Sequence, residues 1–284
     1  GHGYVRSLDA KLFYQTMGSG TPVIFLHGGP GLDSSYLLPQ MKKLAKKYQV
    51  VFYDQRGSGK SLPIKFTAGF YTLHQFVADL ERLRQTAGFN QIILVGHSWG
   101  GMLAMAYAIK YPNHLRGLVL MNSIPSTSEG FKAYSEEVKK RIHPVLTSID
   151  ATVKSPAFIR GDVQAFKRYC ELVFKPTLYN IKDISKISLN FSATTAKHQI
   201  KIEKIFSRQL FEKEYNFRPR LKELNIPTLV IHGDVDPIPL WTAQQIADSI
   251  PHAKLLVIKN SGHFSYAEKE REVFLALDSF LTNK

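Results

Sequence analysis

The most informative segment of the chain is Ile92-Ile93-Leu94-Val95-Gly96-His97-Ser98-Trp99-Gly100. It starts as a continuous apolar run and leads into a small-residue segment, 101–108, that stops before Pro112. This order predicts a buried strand, a sharp turn and a helix, which is the setting of a nucleophile elbow. Glycines on both sides let the backbone turn tightly, so that the hydroxyl of Ser98 projects above the sheet. The pattern predicts a nucleophilic Ser98, although G-x-S-x-G also occurs in turns with a purely structural role.

Short apolar runs recur along the chain and predict the remaining strands. They are continuous rather than alternating, as expected of strands that are buried on both faces of a parallel sheet. They lie at 23–26, 50–53, 92–95, 118–121, 228–231 and 255–258. Helical patterns separate several of them, and the clearest, 72–87, begins at a capping box of Thr72 and Gln75 and stops at Gly88. With 12–17 as an antiparallel edge strand, the alternation predicts a mostly parallel, doubly wound α/β sheet.

The alternation breaks between residues 123 and 225, where helical patterns follow one another without a convincing buried strand. The clearest of these patterns lie at 131–141, 163–174 and 197–211. We predict a core domain made of 1–122 and 226–284 and an inserted helical cap, 123–225. Such an insertion is expected over the carboxyl ends of the strands, where open α/β sheets bind ligands.

A serine hydroxyl is a poor nucleophile at neutral pH and needs a base, which in turn needs a group that fixes its tautomer. His263 is the predicted base because its loop follows the last predicted strand; the alternative is a surface histidine in a turn. Asp234 and Asp236 both follow the strand that starts at Thr228. We choose Asp236 because it lies further into the loop, whereas Asp234 fits a turn-forming role. The chain order Ser98, Asp236, His263 is that of the α/β-hydrolase fold.

The oxyanion of a tetrahedral intermediate requires hydrogen-bond donors, commonly the amide after the nucleophile and one from a loop after an early strand. Trp99 supplies the first amide. The second comes from the segment His27-Gly28-Gly29-Pro30-Gly31, which follows a predicted strand. We assign this amide to Gly29, because a glycine-rich loop lets the backbone approach a substrate closely. The alternative for the segment is a simple turn.

Another glycine-rich segment is Asp54-Gln55-Arg56-Gly57-Ser58-Gly59-Lys60-Ser61, which ends like a phosphate-binding loop. That motif requires a glycine five positions before Gly59, where Asp54 stands, so nucleotide binding is not expected. The segment is predicted to be structural, with Asp54 and Arg56 bracing neighbouring loops. Because no cluster has the spacing of metal ligands, the sequence predicts an enzyme without metal or cofactor.

Composition limits the remaining classes of protein. A chain of 284 residues with 44% hydrophobic residues can fill a substantial core, and no apolar run approaches the roughly 20 residues of a membrane span. The net charge of +14 is concentrated in 131–220, where 9 Asp/Glu are interspersed among 18 Lys/Arg. We therefore expect a solvated helical surface and neither a nucleic acid nor a membrane as partner. The single cysteine, Cys170, has apolar neighbours and is expected to be buried. A cytoplasmic location is expected, with a processed secreted form as the alternative.

Three of these motifs in combination, 27–31, 54–61 and 96–101, resemble the proline iminopeptidase family of α/β-hydrolases. The similarity covers most of the predicted core domain. It implies a hydrolase that removes an N-terminal residue, often proline, from short peptides, with a helical cap that encloses the site. It also implies the roles assigned above, in the residues Ser98, Asp236, His263, Gly29 and Trp99.

The resemblance further implies that carboxylates bind the free amino group of the substrate, one in the cap and another near the catalytic aspartate. The cap offers Glu171, Glu203, Glu212 and Glu214. Of these we select Glu203 and Glu214 as substrate-binding residues, and the alternative for each is a solvated helix residue. The chain departs from the family pattern in that Pro237 follows Asp236 and in that the cap is basic overall.

The sequence leaves three functions open. The first is a serine aminopeptidase, similar to proline iminopeptidases, that releases N-terminal residues from short peptides through an acyl-enzyme. The second is a capped carboxylesterase, amidase or lactone hydrolase with the same triad. The third is a non-catalytic ligand receptor built on this fold. Epoxide and haloalkane hydrolysis are disfavoured, because those members of the fold place an aspartate where Ser98 stands.

Overall fold

Eight strands form a single mixed sheet in a computed structural model that describes residues 1–284. Their bounds are β1 (His2–Ser7), β2 (Ala10–Met17), β3 (Pro22–Leu26), β4 (Gln49–Tyr53), β5 (Ile92–His97), β6 (Leu115–Met121), β7 (Thr228–Gly233) and β8 (Lys254–Ile258). The order across the sheet is β1-β2-β4-β3-β5-β6-β7-β8. Strands β3 to β8 run parallel to one another, whereas β2 is antiparallel to both β1 and β4. Each predicted apolar run lies within one of these strands, and the doubly wound α/β fold is confirmed.

The chain forms twelve α-helices. They are α1 (Leu38–Met41), α2 (Leu73–Thr86), α3 (Trp99–Lys110), α4 (Ser128–Ile142), α5 (Leu146–Lys154), α6 (Pro156–Ile159), α7 (Val163–Phe174), α8 (Ala193–Phe206), α9 (Arg218–Leu221), α10 (Leu240–Ser249), α11 (Ser265–Glu268) and α12 (Glu270–Thr282). Short 3₁₀ segments link several of them, and one π-helical turn, Ser207–Phe211, extends α8. None of the helices combines the length and the apolar character needed to cross a bilayer.

The central strands are apolar along their length because helices cover both faces of the sheet. On one face, Leu94 of β5 belongs to a core that includes Leu80 of α2 and Leu103 of α3. On the other face, Val95 belongs to a core that includes Leu277 of α12. Strand β3 lies between β4 and β5, since the chain passes from β3 to β4 on one side and then crosses to β5 on the other side of β3. Such a switch in direction opens a crevice at the carboxyl ends of the strands.

The chain leaves the sheet after β6 and returns at β7, and the helices α4 to α9 occupy this interval. The predicted helical patterns correspond to α4, α7 and α8, although α8 begins at Ala193, before the predicted start. The cap contacts the core directly, since Ile202 and Phe206 of α8 are buried in the same apolar cluster as Trp99. The ring centroids of Phe206 and Trp99 lie 4.9 Å apart. Helix α8 therefore covers the beginning of α3, next to Ser98.

Strand β2 is not an edge strand, so the prediction for 12–17 was wrong in this respect. Strand β1 hydrogen-bonds to its outer side, from the pair of His2 and Gln15 to the pair of Ser7 and Ala10. In β1 only Val5 and Ser7 are buried. A strand exposed on one face has no continuous apolar run, and this explains why the sequence pattern missed it.

The loop after β4 braces its neighbours through buried polar contacts. The carboxylate of Asp54 accepts hydrogen bonds from the backbone amides of Ser34 and Lys60, both at 3.0 Å. Arg56 forms a bidentate pair with Asp79, in which Nε–Oδ2 and Nη2–Oδ1 both measure 2.8 Å. Both side chains of this pair are buried, and breaking such a pair at one end costs about 3–5 kcal/mol. The polar groups of the loop are thus used within the protein, in agreement with its predicted structural role.

Candidate active site

Ser98 lies at the tight turn between β5 and α3, with φ 57° and ψ −119°. This backbone conformation is rare for a residue other than glycine and marks a strained elbow. The turn leaves no room for side chains at its flanks. A Cβ on Gly96 would lie 2.3 Å from the carbonyl oxygen of Gly100, and a Cβ on Gly100 would lie 2.1 Å from that of Leu26. The two glycines therefore let the elbow fit against the end of β3.

The predicted nucleophile, base and acid converge at the carboxyl edge of the sheet. Nε2 of His263 lies 3.0 Å from Oγ of Ser98. Nδ1 of the same ring lies 3.1 Å from each carboxylate oxygen of Asp236. A carboxylate can only accept, so Nδ1 carries the proton and Nε2 accepts from the serine hydroxyl. This geometry suits transfer of the serine proton to the imidazole.

Asp236 is held as an anion in a buried site. Its carboxylate accepts hydrogen bonds from Nδ2 of Asn122 at 3.0 Å and from the amide of Ile238 at 2.8 Å. Burial alone would raise its pKa, but the electrostatic effect of His263 and His232 and the hydrogen bonds from His263 and the Ile238 amide outweigh burial and lower the pKa to about 2. An ionised Asp236 stabilises the imidazolium that forms when His263 takes a proton.

Asp234, the alternative acid, does not contact His263. Its carboxylate accepts a hydrogen bond from the amide of Ser261 at 3.1 Å, so it joins the loops after β7 and β8. The two aspartates are thus separated, with Asp236 beside the imidazole and Asp234 within a turn.

The two predicted oxyanion donors are close to Ser98 and free of acceptors in the protein. Gly29 adopts φ +129°, and a Cβ there would lie 2.5 Å from the amide nitrogen of Gly31. Trp99 is the first residue of α3, where an amide has no acceptor within the helix. Its indole Nε1 donates to Oε1 of Gln55 at 2.8 Å, which holds the residue in place. Neither backbone amide donates to a protein carbonyl.

A cavity of about 300 Å³ opens over Ser98 between the sheet edge and the cap. Most of its wall is apolar or aromatic. The core contributes Gly28, Gly29, Leu32, Tyr36, His97, Ser98, His263 and Phe264, and the cap contributes Tyr134, Val138, Ile142, Phe166, Tyr169, Cys170, Val173, Phe174, Thr177, Gln199 and Glu203. Cys170 is buried, as predicted. A wider depression at the amino ends of β7 and β8 contains none of the predicted site residues.

Glu203 is the one carboxylate that lines this cavity. Protein surrounds it, yet its side chain remains accessible because it faces the cavity. Oε2 accepts a hydrogen bond from Nε2 of Gln199 at 2.6 Å, and no lysine, arginine or histidine pairs with the carboxylate. Burial raises its pKa, and the hydrogen bond from Gln199 opposes this effect. The pKa values of Tyr134 and Tyr169 are raised mainly by burial and, to a smaller extent, by the negative charge of Glu203.

Glu214, the other selected carboxylate, lies elsewhere. It is exposed in a surface groove that it shares with Glu212, and neither residue lines the cavity over Ser98. Glu171 is on α7 but is also absent from the cavity wall. Glu214 precedes Tyr215, whose carbonyl oxygen accepts a hydrogen bond from the amide of Ser128 at the start of α4. This contact holds the segment outside the cavity, so the prediction for Glu214 does not agree with the structure.

Several residues at the site were missed by sequence reasoning. Asn122 is the first residue after β6, so the rule that found the other loops could have found it. Tyr36, His97 and Gln199 have no comparable signal, because their contacts depend on tertiary structure. No group of three or more histidine, cysteine, aspartate or glutamate side chains is arranged to hold a metal ion.

A sequence model described as alpha/beta hydrolase fold matches residues 21–270. This match covers most of the chain, including Ser98, Asp236 and His263. The chain belongs to the α/β-hydrolase fold family. It is therefore a member of a family of hydrolases, and the fold predicted from the motifs is confirmed independently of the structure.

This α/β-hydrolase is 28% identical to a proline iminopeptidase of Saccharolobus solfataricus, over 98% of this chain and 91% of the relative. It is 29% identical to a proline iminopeptidase of Heyndrickxia coagulans, over 99% and 98% of the two chains. The solved structure of a thermophilic esterase from Thermogutta terrifontis is also similar, with a TM-score of 0.69, 26% identity and coverage of 100% and 98%. The resemblance to proline iminopeptidases is thus confirmed over nearly the whole chain, while the similar proteins differ in substrate.

Proposed function

We propose that this protein is a serine aminopeptidase that releases the N-terminal residue, preferably proline, from short peptides. The observation that carries the proposal is Glu203, an accessible carboxylate without a cationic partner, in the same cavity as Ser98. A ligand that fills this mainly apolar cavity would shield the carboxylate from water, and a charge shielded in this way is costly unless it is paired, so the site favours a cationic ligand. The free N-terminal amine of a peptide is such a cation.

The proposed reaction is acyl transfer to water. Ser98 Oγ attacks the carbonyl carbon of the first peptide bond while Nε2 of His263 takes the hydroxyl proton. The amides of Gly29 and Trp99 stabilise the oxyanion, and Asp236 stabilises the imidazolium. His263 then returns the proton to the leaving amine, which departs and leaves an acyl-enzyme. His263 deprotonates a water molecule that attacks the ester carbonyl, and the same proton then passes from His263 to Oγ of Ser98 as the residue is released.

The shape of the cavity supports a small residue at the cleavage site. Helices α4, α7 and α8 of the cap lie over Ser98 and limit the space for the N-terminal residue of the substrate. Apolar side chains such as Val173 and Phe174 fit a pyrrolidine ring, while Glu203 takes its nitrogen. Similarity to relatives named proline iminopeptidase also supports this choice.

The runner-up is a capped esterase or lactone hydrolase with the same three residues. The mainly apolar wall of the cavity favours this alternative, since an uncharged acyl group would be buried there without a polar partner. The similarity to a solved esterase is in line with it. Under this alternative Glu203 would have no substrate cation to bind.

A matched set of substrates distinguishes the two functions. We expect prolyl-4-nitroanilide to be hydrolysed with a kcat/KM at least about 100-fold above that of its N-acetyl derivative, because acetylation removes the cation and leaves Glu203 unpaired. 4-Nitrophenyl butyrate measures ester hydrolysis in parallel, and Ser98→Ala is the background control. Equal rates of hydrolysis of the free and the acetylated anilide, together with fast ester cleavage, would refute the aminopeptidase function and favour the esterase.

A further inference from the structure

Three consecutive hydrogen bonds connect the loops that meet at Ser98. The amide of Gly28 lies 2.6 Å from the hydroxyl oxygen of Tyr36. That oxygen lies 2.7 Å from Nδ1 of His97, and Nε2 of His97 lies 2.9 Å from the carbonyl oxygen of His263. Both Tyr36 and His97 are 1% exposed. The series therefore runs through the protein interior from the glycine-rich loop to the loop of His263.

Chemistry fixes the direction of each hydrogen bond. The carbonyl oxygen of His263 can only accept, so Nε2 of His97 carries a proton. Burial and, to a smaller extent, the neighbouring His263 lower the pKa of His97 to about 3, so the ring is neutral near pH 7. In a neutral ring the other nitrogen, Nδ1, is an acceptor. The hydroxyl of Tyr36 must then donate to Nδ1, and its oxygen accepts from the amide of Gly28.

Each end of this series is adjacent to a group assigned to the reaction. Gly28 precedes Gly29, the second oxyanion donor, and His97 precedes Ser98. The far end is the backbone carbonyl of His263 itself. The fit is close, since a Cβ on Gly28 would lie 2.8 Å from the Tyr36 hydroxyl oxygen and 3.3 Å from Cβ of Ser98.

We infer that Tyr36 and His97 are positioning residues that hold the oxyanion amide of Gly29, the nucleophile Ser98 and the base His263 in register. The inference rests on the proposed serine-hydrolase function but not on the choice between peptide and ester substrates. Neither side chain takes part in proton transfer to the substrate. They act through backbone groups, and misplacement of such groups by about 1 Å can cost on the order of 100-fold in rate. Tyr36 thus links oxyanion stabilisation to the histidine loop.

The test is Tyr36→Phe, which keeps the ring and removes the hydroxyl. The amide of Gly28 then loses its acceptor and Nδ1 of His97 loses its donor. We expect kcat to fall about 10- to 100-fold, less than or equal to the loss of an entire oxyanion donor, while KM stays within about twofold. The loss should be the same on prolyl-4-nitroanilide and 4-nitrophenyl butyrate, whichever the wild-type protein turns over. Inhibition by a boronic acid, which forms a tetrahedral adduct with the serine, should weaken in step with kcat.

Tyr107→Phe is the matched control. Tyr107 is fully buried on α3 and donates to the carboxylate of Glu81, away from the cavity over Ser98. Its loss should lower stability in the same way without changing kcat. If Tyr36→Phe fails to fold, His97→Asn tests the other link, since asparagine can accept from Tyr36 but is too short to reach the carbonyl of His263.

The possible outcomes separate this inference from the proposed function. A wild-type kcat in folded Tyr36→Phe would overturn the inference, and so would an equal fall of kcat in Tyr107→Phe. In the event that only His97→Asn folds, an unchanged kcat in that variant would overturn it. If the wild-type protein hydrolyses neither substrate and does not bind the boronic acid, the serine-hydrolase function on which the inference depends would be refuted instead.

Discussion

A Glu203→Gln substitution should raise KM for substrates with a free N-terminal amine and leave substrates without one almost unchanged. The side chain keeps its length, so the cavity of about 300 Å³ keeps its shape while it loses the one carboxylate in its wall. A hydrogen bond to a charged group contributes about 1.5–3 kcal/mol. That range corresponds to roughly 10- to 150-fold in KM. Because the amine is bound before and during the reaction, kcat should change little.

Steady-state kinetics on prolyl-4-nitroanilide and 4-nitrophenyl butyrate measure both arms of this prediction. Glu214→Gln is the matched control, since Glu214 is exposed outside the cavity and should have no effect on either substrate. Equal losses on both substrates in Glu203→Gln would refute the reasoning, because Glu203 would then be needed for the site in general and not for the amine.

The pH dependence of KM supplies an independent check on Glu203. Burial raises the pKa of its carboxyl above the ordinary value of 4.5. As the pH falls through this raised pKa, the carboxylate takes up a proton and its attraction for the amine is lost. As the pH is lowered, KM for the anilide should therefore start to increase while the pH is still above 4.5 in the wild-type protein. This increase should be absent in Glu203→Gln. A rise of the same size in both proteins would assign the effect to another group.

Three other changes test the acid and the elbow. Asp236→Asn should lower kcat on the order of 10³- to 10⁴-fold with the fold intact by circular dichroism, because the amide does not hold His263 in the required tautomer; a loss below tenfold would contradict this. The pKa of Asp236 is about 2 in the folded protein against 3.8 ordinarily, so its stabilisation of roughly 2 kcal/mol is complete above about pH 4 and is lost as the pH falls through 2. Between pH 5 and pH 2.5, the free energy of unfolding measured with urea should fall more steeply in the wild-type protein than in Asp236→Asn. Parallel dependences of this free energy on pH would contradict the prediction. Gly96→Ala places a Cβ 2.3 Å from the carbonyl oxygen of Gly100 and should lower the free energy of unfolding by about 3 kcal/mol. Gly69→Ala is the control and should cost little, because its Cβ would have no atom within 4 Å. Equal urea midpoints for the two variants would argue against a tightly fitted elbow.

Much of the fold could be predicted because its signals are local. The buried strands are continuous apolar runs, and their order along the chain implies which loops share the carboxyl edge of the sheet. This rule alone brings Ser98, Asp236 and His263 to one place. The failure at β1 has the same cause, since a strand with one exposed face lacks such a run.

The substrate side of the site could not be predicted in this way. Glu203 and Glu214 both lie in the cap, and no periodicity distinguishes the one that faces the cavity. Their positions depend on how α8 packs on the core and on how the segment after it pairs with the start of α4. The series through Tyr36 and His97 joins residues 61 positions apart, so it becomes visible only once the sheet is assembled.

The measurement that bears most directly on the proposed mechanism is intact-protein mass spectrometry after reaction with a fluorophosphonate. Such a reagent phosphonylates a serine that is activated by a nearby base, with loss of fluoride. We predict one adduct per chain on Ser98, no adduct in Ser98→Ala and much slower labelling in His263→Ala. A folded protein that stays unlabelled, or a Ser98→Ala variant that is labelled as fully as the wild type, would contradict the assignment of Ser98 as nucleophile.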